Sequence, residues 1–232
     1  MFFFDPIYLA FIAPALLLSL WASFRTRSAF KKYSQVNSLR GLTGAQAAAE
    51  MLRAAGISDV RIVPHAGTLS DHYDPAQKTL ALSEPVYGSR SIAAIGVACH
   101  EAGHAIQDAA HYGPLGLRSA LVPTAGIGST LGYLVMAGGL LFHAPNVILL
   151  GALIFSAVLV FQLVTLPVEF DASARAKKLA VDNGLILPQE REGMDRVLNA
   201  AAMTYVAAVV SSLMTLVYYL FRAGLFGGSR RT

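Results

Sequence analysis

Apolar and polar positions along this chain fall into long blocks rather than short periods. Residues 7–24 carry no charge and, extended slightly at either end, are about long enough to cross the hydrocarbon core of a bilayer. Pro14 lies inside this block, where a membrane helix tolerates it. A polar stretch, 25–113, follows. Residues 115–142 form a glycine-rich apolar block, with Gly128 and Gly132 in one G-x-x-x-G, a spacing that lets helices approach closely. The turn His143-Ala144-Pro145-Asn146 and a further apolar block, 147–166, complete a membrane hairpin, which Pro167 is expected to end. A second polar stretch, 169–199, leads to a last apolar block, 200–221.

Within the first polar stretch, Thr43 is placed to cap a helix over 45–55, with Gly56 ending it. Residues 60–63 and Thr79–Ser83 read as strands, and Asp71-His72-Tyr73-Asp74-Pro75 between them as a turn. Pro85 and Gly88 break the chain before a helix over 89–110. In the second polar stretch Asp182-Asn183-Gly184 is a turn, and Pro188 opens a helix that continues into the last apolar block. The expected fold is a mainly α membrane protein, with about four transmembrane helices and a small α+β zincin-like cytosolic domain. Its parts are an anchor (1–24), a cytosolic domain (25–113), a transmembrane hairpin (114–168), a second cytosolic segment (169–199), and a C-terminal transmembrane helix and tail (200–232).

Composition agrees with the membrane reading. The chain is 55% hydrophobic and 14% charged, with mean hydropathy +0.53, whereas soluble domains carry about 25% charged residues. No positive segment precedes the first apolar block, and Arg25, Arg27, Lys31 and Lys32 follow it. It therefore reads as an uncleaved anchor with its N-terminus outside. Nine Lys/Arg lie in 25–113 and five in 169–199, against none in the 143–146 turn. That bias places both polar stretches on the cytosolic side of the membrane. The tail, with Arg222, Arg230 and Arg231, would then lie outside unless the last block is re-entrant. The net charge of +4 forms no basic, aromatic-interleaved patch, so nucleic acid is not an expected partner. The single Cys99 excludes an intramolecular disulfide and reads as a small core residue.

The candidate chemistry is concentrated in His100-Glu101-Ala102-Gly103-His104, an H-E-x-x-H. On a helix both imidazoles project from one face and can share one Zn²⁺ per chain, with Glu101 placed to take a proton from a water at the open position. Three ionisable groups interrupting an apolar run, 92–99, would be costly without such a purpose. A third protein ligand is needed. A helical hairpin over 115–166 brings its two ends together, which makes Glu169 the candidate. Asp171 is the runner-up; on a helix it points about 160° away from Glu169, so it suits a supporting role. His72 and His111 flank the candidate sheet and the motif helix and are candidates to stabilise a transition state. Thr79–Ser83 is the candidate edge strand for pairing with an extended substrate. The reaction implied is hydrolysis of a protein or peptide at the cytosolic membrane face. The rival readings are an intramembrane metalloprotease and a non-catalytic membrane protein with a structural metal.

The chain resembles the bacterial family of putative neutral zinc metallopeptidases (YugP type). The resemblance rests on Met1-Phe2-Phe3-Phe4-Asp5-Pro6, the His100–His104 motif, Leu166-Pro167-Val168-Glu169-Phe170-Asp171-Ala172-Ser173, and Val197-Leu198-Asn199-Ala200-Ala201-Ala202-Met203-Thr204-Tyr205. It implies a small membrane-anchored zinc protease. More remotely, the pattern is similar to HtpX-type membrane proteases, in which a Glu opening an E-x-x-x-D is the third zinc ligand. Glu169 matches that Glu. Ser173 stands where the pattern has Asp.

Overall fold

A computed structural model describes residues 5–225. Met1 to Phe4 and the tail arginines Arg230 and Arg231 lie outside the described residues. The elements in order are α1 (Pro6–Tyr33), α2 (Gly44–Ala54), β1 (Arg61–His65), β2 (His72–Asp74), β3 (Thr79–Ser83), the short α3 (Glu84–Tyr87) and α4 (Ile92–Ala109). These are followed by α5 (Gly113–Ile127), a π-helical turn (Gly128–Gly132), α6 (Tyr133–Leu141), α7 (Pro145–Asp182), a 3₁₀ turn (Pro188–Glu190) and α8 (Arg191–Arg222).

Two compact units share the chain. The first takes Met1–Ala22, Leu117–Leu166 and Thr204–Thr232; the second takes Ser23–Gly116 and Pro167–Met203. The chain passes from one to the other inside helices, because the four apolar blocks are parts of longer helices. Charged and alanine-rich segments such as those at the ends of α1 and α7 are good helix formers, so nothing stops the helix where the apolar residues stop. Pro167 does not end its helix either. It lies inside α7, where proline removes one backbone donor without forcing a break.

The first unit is apolar outside as well as inside. Among the described residues, four helices are long and apolar enough to cross a membrane: Pro6–Tyr33, Gly113–Leu141, Pro145–Asp182 and Pro188–Arg222. Leu17, Leu134, Leu153 and Leu163 are exposed, as expected of surfaces that face lipid. Inside, Met136, Ile148, Phe155, Tyr218 and Tyr219 pack together. The glycines work as their spacing suggests. A β-carbon on Gly132 would stand 2.6 Å from the backbone nitrogen of Phe155, and one on Gly151 2.5 Å from that of Met136. Close backbone packing of this kind replaces the hydrophobic drive that lipid cannot supply. Asp5 accepts hydrogen bonds from Tyr218 Oη at 3.1 Å and from Arg222.

The second unit holds a three-stranded sheet in the order β1-β3-β2. β1 runs parallel to β3 and β2 antiparallel to it. Thr79–Ser83 is therefore the central strand, not the edge strand expected from the sequence. Its burial explains this: Leu80 and Leu82 are fully enclosed, and a strand buried on its sides is paired on both edges. The edges are β1 and β2, the latter formed by the residues that read as a turn. Asp74 closes the β2–β3 connection, accepting from Ala76 N at 2.8 Å and Gln77 N at 3.2 Å. Helix α2 has the expected Thr43 cap, completed by Gln46 as a capping box. Gly56, at φ +74°, follows its end. Helix α4 is capped by Ser91, which accepts from Ala94 N at 3.2 Å. It is buried on nearly every face, among Met51, Leu82, Ile186, Met194 and Leu198.

Candidate metal centre

Helix periodicity puts His100 and His104 one turn apart on α4, with ring centroids 4.8 Å apart and planes at 80°. Glu169 comes from the part of α7 beyond Pro167. Its Oε2 lies 3.2 Å from His100 Nε2 and 3.5 Å from His104 Nε2. One ligand atom from each of the three residues falls within 4.8 Å of the others. Glu169 is only 2% exposed. A carboxylate so enclosed needs cationic or metal partners, since ionised groups are costly to bury alone.

The approach of α7 to α4 depends on Gly103, which lies between the two histidines. A β-carbon there would stand 2.7 Å from the carbonyl oxygen of Ala172. Ala172 lies one turn beyond Glu169, so the contact that seats the helices also sets the reach of the carboxylate.

Both histidines are oriented from behind. Gln107, fully buried on α4, donates from Nε2 to Val168 O and to Asp171 Oδ2, each at 2.8 Å. Those two acceptors fix the amide, so Gln107 Oε1 faces His104 Nδ1 at 3.0 Å. An amide oxygen only accepts; His104 Nδ1 therefore carries a proton and Nε2 is turned toward Glu169. Asp171 is itself held by Arg175 Nε at 2.6 Å, and the Arg175 guanidinium lies 5.8 Å from the ring centre of Tyr112. His100 Nδ1 lies 3.1 Å from Ser173 Oγ, so the residue that departs from the E-x-x-x-D pattern still reaches the histidine. Two imidazole Nε2 atoms and a carboxylate oxygen suit zinc in ligand type and count for an open site, and both imidazoles have the outer partner that zinc-binding histidines usually have.

Burial lowers the pKa of His104. The hydrogen bond to Glu169 and the charges of Glu101 and Glu169 outweigh that effect and hold the pKa above the ordinary histidine value. Glu101 is buried at 8% exposure. Cys99 is enclosed, and burial pushes its thiol up to about 12, so it behaves as a core residue beside the site.

The other candidates lie apart from this convergence. Asp171 is hydrogen-bonded to Gln107, which in turn meets His104 Nδ1. His72 sits exposed on β2, with Nδ1 2.9 Å from Ser70 O and its ring 5.3 Å from that of His65. His111 follows α4 in a left-handed conformation, φ 51°. Neither joins the three converging side chains. β2 is tied to α4 by Tyr73 Oη, which donates to Asp108 Oδ2 at 2.8 Å; Lys78 Nζ meets the same oxygen at 2.6 Å. Gln107 and Gly103 carry no signal on their own in the sequence.

No solved structure matches the chain. The chain is 48% identical over 206 residues to the "Putative membrane protease YugP" of Bacillus subtilis (strain 168), covering 89% of this chain and 92% of the relative. The model of one protein family, described as "Putative neutral zinc metallopeptidase", matches residues 8–224. With its two histidines and glutamate gathered at one point and nearly its whole length matched, the chain belongs to this metallopeptidase family.

Proposed function

We propose that the protein is a membrane-bound zinc endopeptidase in which His100, His104 and Glu169 hold one Zn²⁺ and Glu101 is the general base. The observation that carries this reading is the convergence of His100 Nε2, His104 Nε2 and Glu169 Oε2. Bound there, zinc supplies Lewis-acid polarisation of the scissile carbonyl and a water of lowered pKa. Glu101, adjacent to His100 on α4, takes a proton from the attacking water and passes it to the departing amine. Gln107 and Ser173 keep both imidazoles turned toward the metal, and Asp171 steadies Gln107. The substrate is a protein or peptide whose extended backbone pairs along the outer edge of β2, the strand braced against α4 through Tyr73 and Asp108.

The site belongs to the cytosolic face of a bacterial plasma membrane. The Lys/Arg bias of 25–113 and 169–199 over the 143–146 turn supports that side. Helix α4 is not among the helices long and apolar enough to span, which favours cleavage at the membrane surface over cleavage inside the bilayer. The test is zinc analysis together with hydrolysis of casein or a membrane-derived peptide by purified protein, wild type against Glu101→Gln. Zinc retained with cleavage lowered at least about a hundredfold is expected. Full activity in the variant overturns the mechanism, and absence of zinc from the wild type overturns the metal assignment.

A further inference from the structure

A second concave site lies in the same unit, on residues that the peptidase reading does not use. The helices α1 and α8 line an open cavity of about 170 Å³ walled by Phe24, Arg25, Ser28, Lys32, Tyr33 and Arg196, with Ala29 and Ala200 completing the wall. Three lining side chains are cationic and none is acidic. The helices are seated against each other here. Thr26 Oγ1 donates to Ala200 O at 3.0 Å, and a β-carbon on Gly193 would stand 2.9 Å from the Tyr33 ring.

The position of the cavity along each helix says what would enter it. Phe24 is the last residue of the uncharged run in α1, and Arg25 follows at once. Ala200 opens the last apolar block, and Arg196 lies one turn before it. Both helices thus change from apolar to charged at the level of the cavity, α1 to a purely basic run (Arg25, Arg27, Lys31, Lys32) and α8 to mixed charge of which Arg196 faces the cavity, which is the profile of a lipid headgroup region rather than of a soluble metabolite site. The charges have local company. Lys32 Nζ lies 5.3 Å from the Tyr33 ring centre. Arg196 donates to Glu192 Oε1 from Nε at 2.9 Å and from Nη2 at 2.7 Å. Glu192 is exposed at 73%, so its pairing with Arg196 is of the weak surface kind that a better-placed anion displaces. Ser28 and Tyr33 add hydroxyls, which donate to phosphate oxygens as readily as arginine and lysine do.

We infer that this cavity is a binding site for the phosphate of an anionic membrane lipid, with Arg25, Lys32 and Arg196 as its cationic wall and Phe24 against the start of the acyl chains. The inference rests on the membrane reading and is independent of peptidase activity.

The test uses the full chain in a neutral detergent, titrated with short-chain phosphatidylglycerol and read by native mass spectrometry. Phosphatidylcholine and soluble glycerol phosphate are the comparison ligands. The double variant Lys32→Gln/Arg196→Gln should bind phosphatidylglycerol about thirtyfold more weakly, each basic group near an anionic lipid contributing roughly a factor of five. Arg27→Gln/Lys31→Gln removes two charges of α1 that do not line the cavity and should change binding less than about threefold, against that same roughly fivefold contribution per lining group. Unchanged zinc content and helical circular dichroism show that either variant is folded. Equal losses in the two double variants would reduce the effect to general surface charge and overturn the site. Binding of phosphatidylcholine as tight as phosphatidylglycerol, or glycerol phosphate that saturates the site as well as the lipid does, would overturn the lipid assignment.

Discussion

Gly103 meets the carbonyl of Ala172 so closely that a β-carbon at position 103 would stand 2.7 Å from its oxygen. This contact between α4 and α7 is what lets a carboxylate 65 positions after His104 reach the two imidazoles. Gly103→Ala must push the helices apart or strain the carbonyl, at a cost of about 1–3 kcal/mol. The variant should melt earlier than wild type and retain less zinc per chain after dialysis. Gly96→Ala is the control, since its β-carbon meets only the flexible Met194 side chain at 3.4 Å. Equal zinc retention in the two variants would show that the approach at Gly103 is not critical.

The outer partners of the histidines should be felt in metal affinity before they are felt in folding. Gln107→Leu removes the acceptor of His104 Nδ1, and Ser173→Ala removes the partner of His100 Nδ1. Each should weaken zinc binding by about ten- to a hundredfold, measured by competition with a chromogenic chelator. Gln107→Leu also strands Asp171 without its amide donor, so it should be the worse of the two. Wild-type affinity in both variants would mean that the histidines are oriented by packing alone.

The brace between β2 and α4 has a pH dependence of predictable sign. Burial raises the Asp108 pKa, but the hydrogen bonds from Lys78 and Tyr73 outweigh it and hold the carboxyl below its ordinary value of 3.8. A carboxyl depressed in the folded state contributes stability above its ordinary value, and loses it as pH falls through the lower folded value. The difference in thermal midpoint between wild type and Asp108→Asn should therefore be present at neutral pH and shrink on acidification below about pH 4. Lys78 and Asp108 are 40% and 25% exposed, so the effect stays below about 1 kcal/mol. A difference that is constant with pH would mean that the asparagine acts through packing instead.

Glu190 holds a different junction. Its Oε1 accepts from Leu39 N at 2.8 Å, and its Oε2 accepts from Leu187 N at 2.7 Å and from Ser38 Oγ at 3.4 Å. The carboxylate is buried at 6% exposure and joins the segment before α2 to the start of α8. Glu190→Ala leaves two backbone donors without their acceptor, each costing about 1–3 kcal/mol when buried. A destabilisation of about 2–4 kcal/mol is expected in denaturant unfolding. Glu190→Gln, which keeps one acceptor oxygen, should lose less, and an equal loss in both would assign the effect to the charge.

The legible parts of this protein were those that depend on neighbours in sequence. The four apolar blocks, the Thr43 cap and the one-face spacing of His100 and His104 follow from local composition and helix period. Glu169 was reachable because a helical hairpin brings its ends together, a constraint of topology that the sequence already contains. Three features were decided only by tertiary structure. Thr79–Ser83 became the central strand and His72–Asp74 one of the two edges, because strand order depends on which neighbours bury Leu80 and Leu82. Pro167 stayed inside α7, because a helix packed along its length absorbs the loss of one donor. Gln107, Ser173 and Gly103 took their places behind the metal site, because hydrogen-bond partners and close approaches between α4 and α7 exist only once those helices are packed. The motif at His100–His104 determined the chemistry to expect. The depth at which α7 seats against Gly103 decided that the Glu169 carboxylate could reach it.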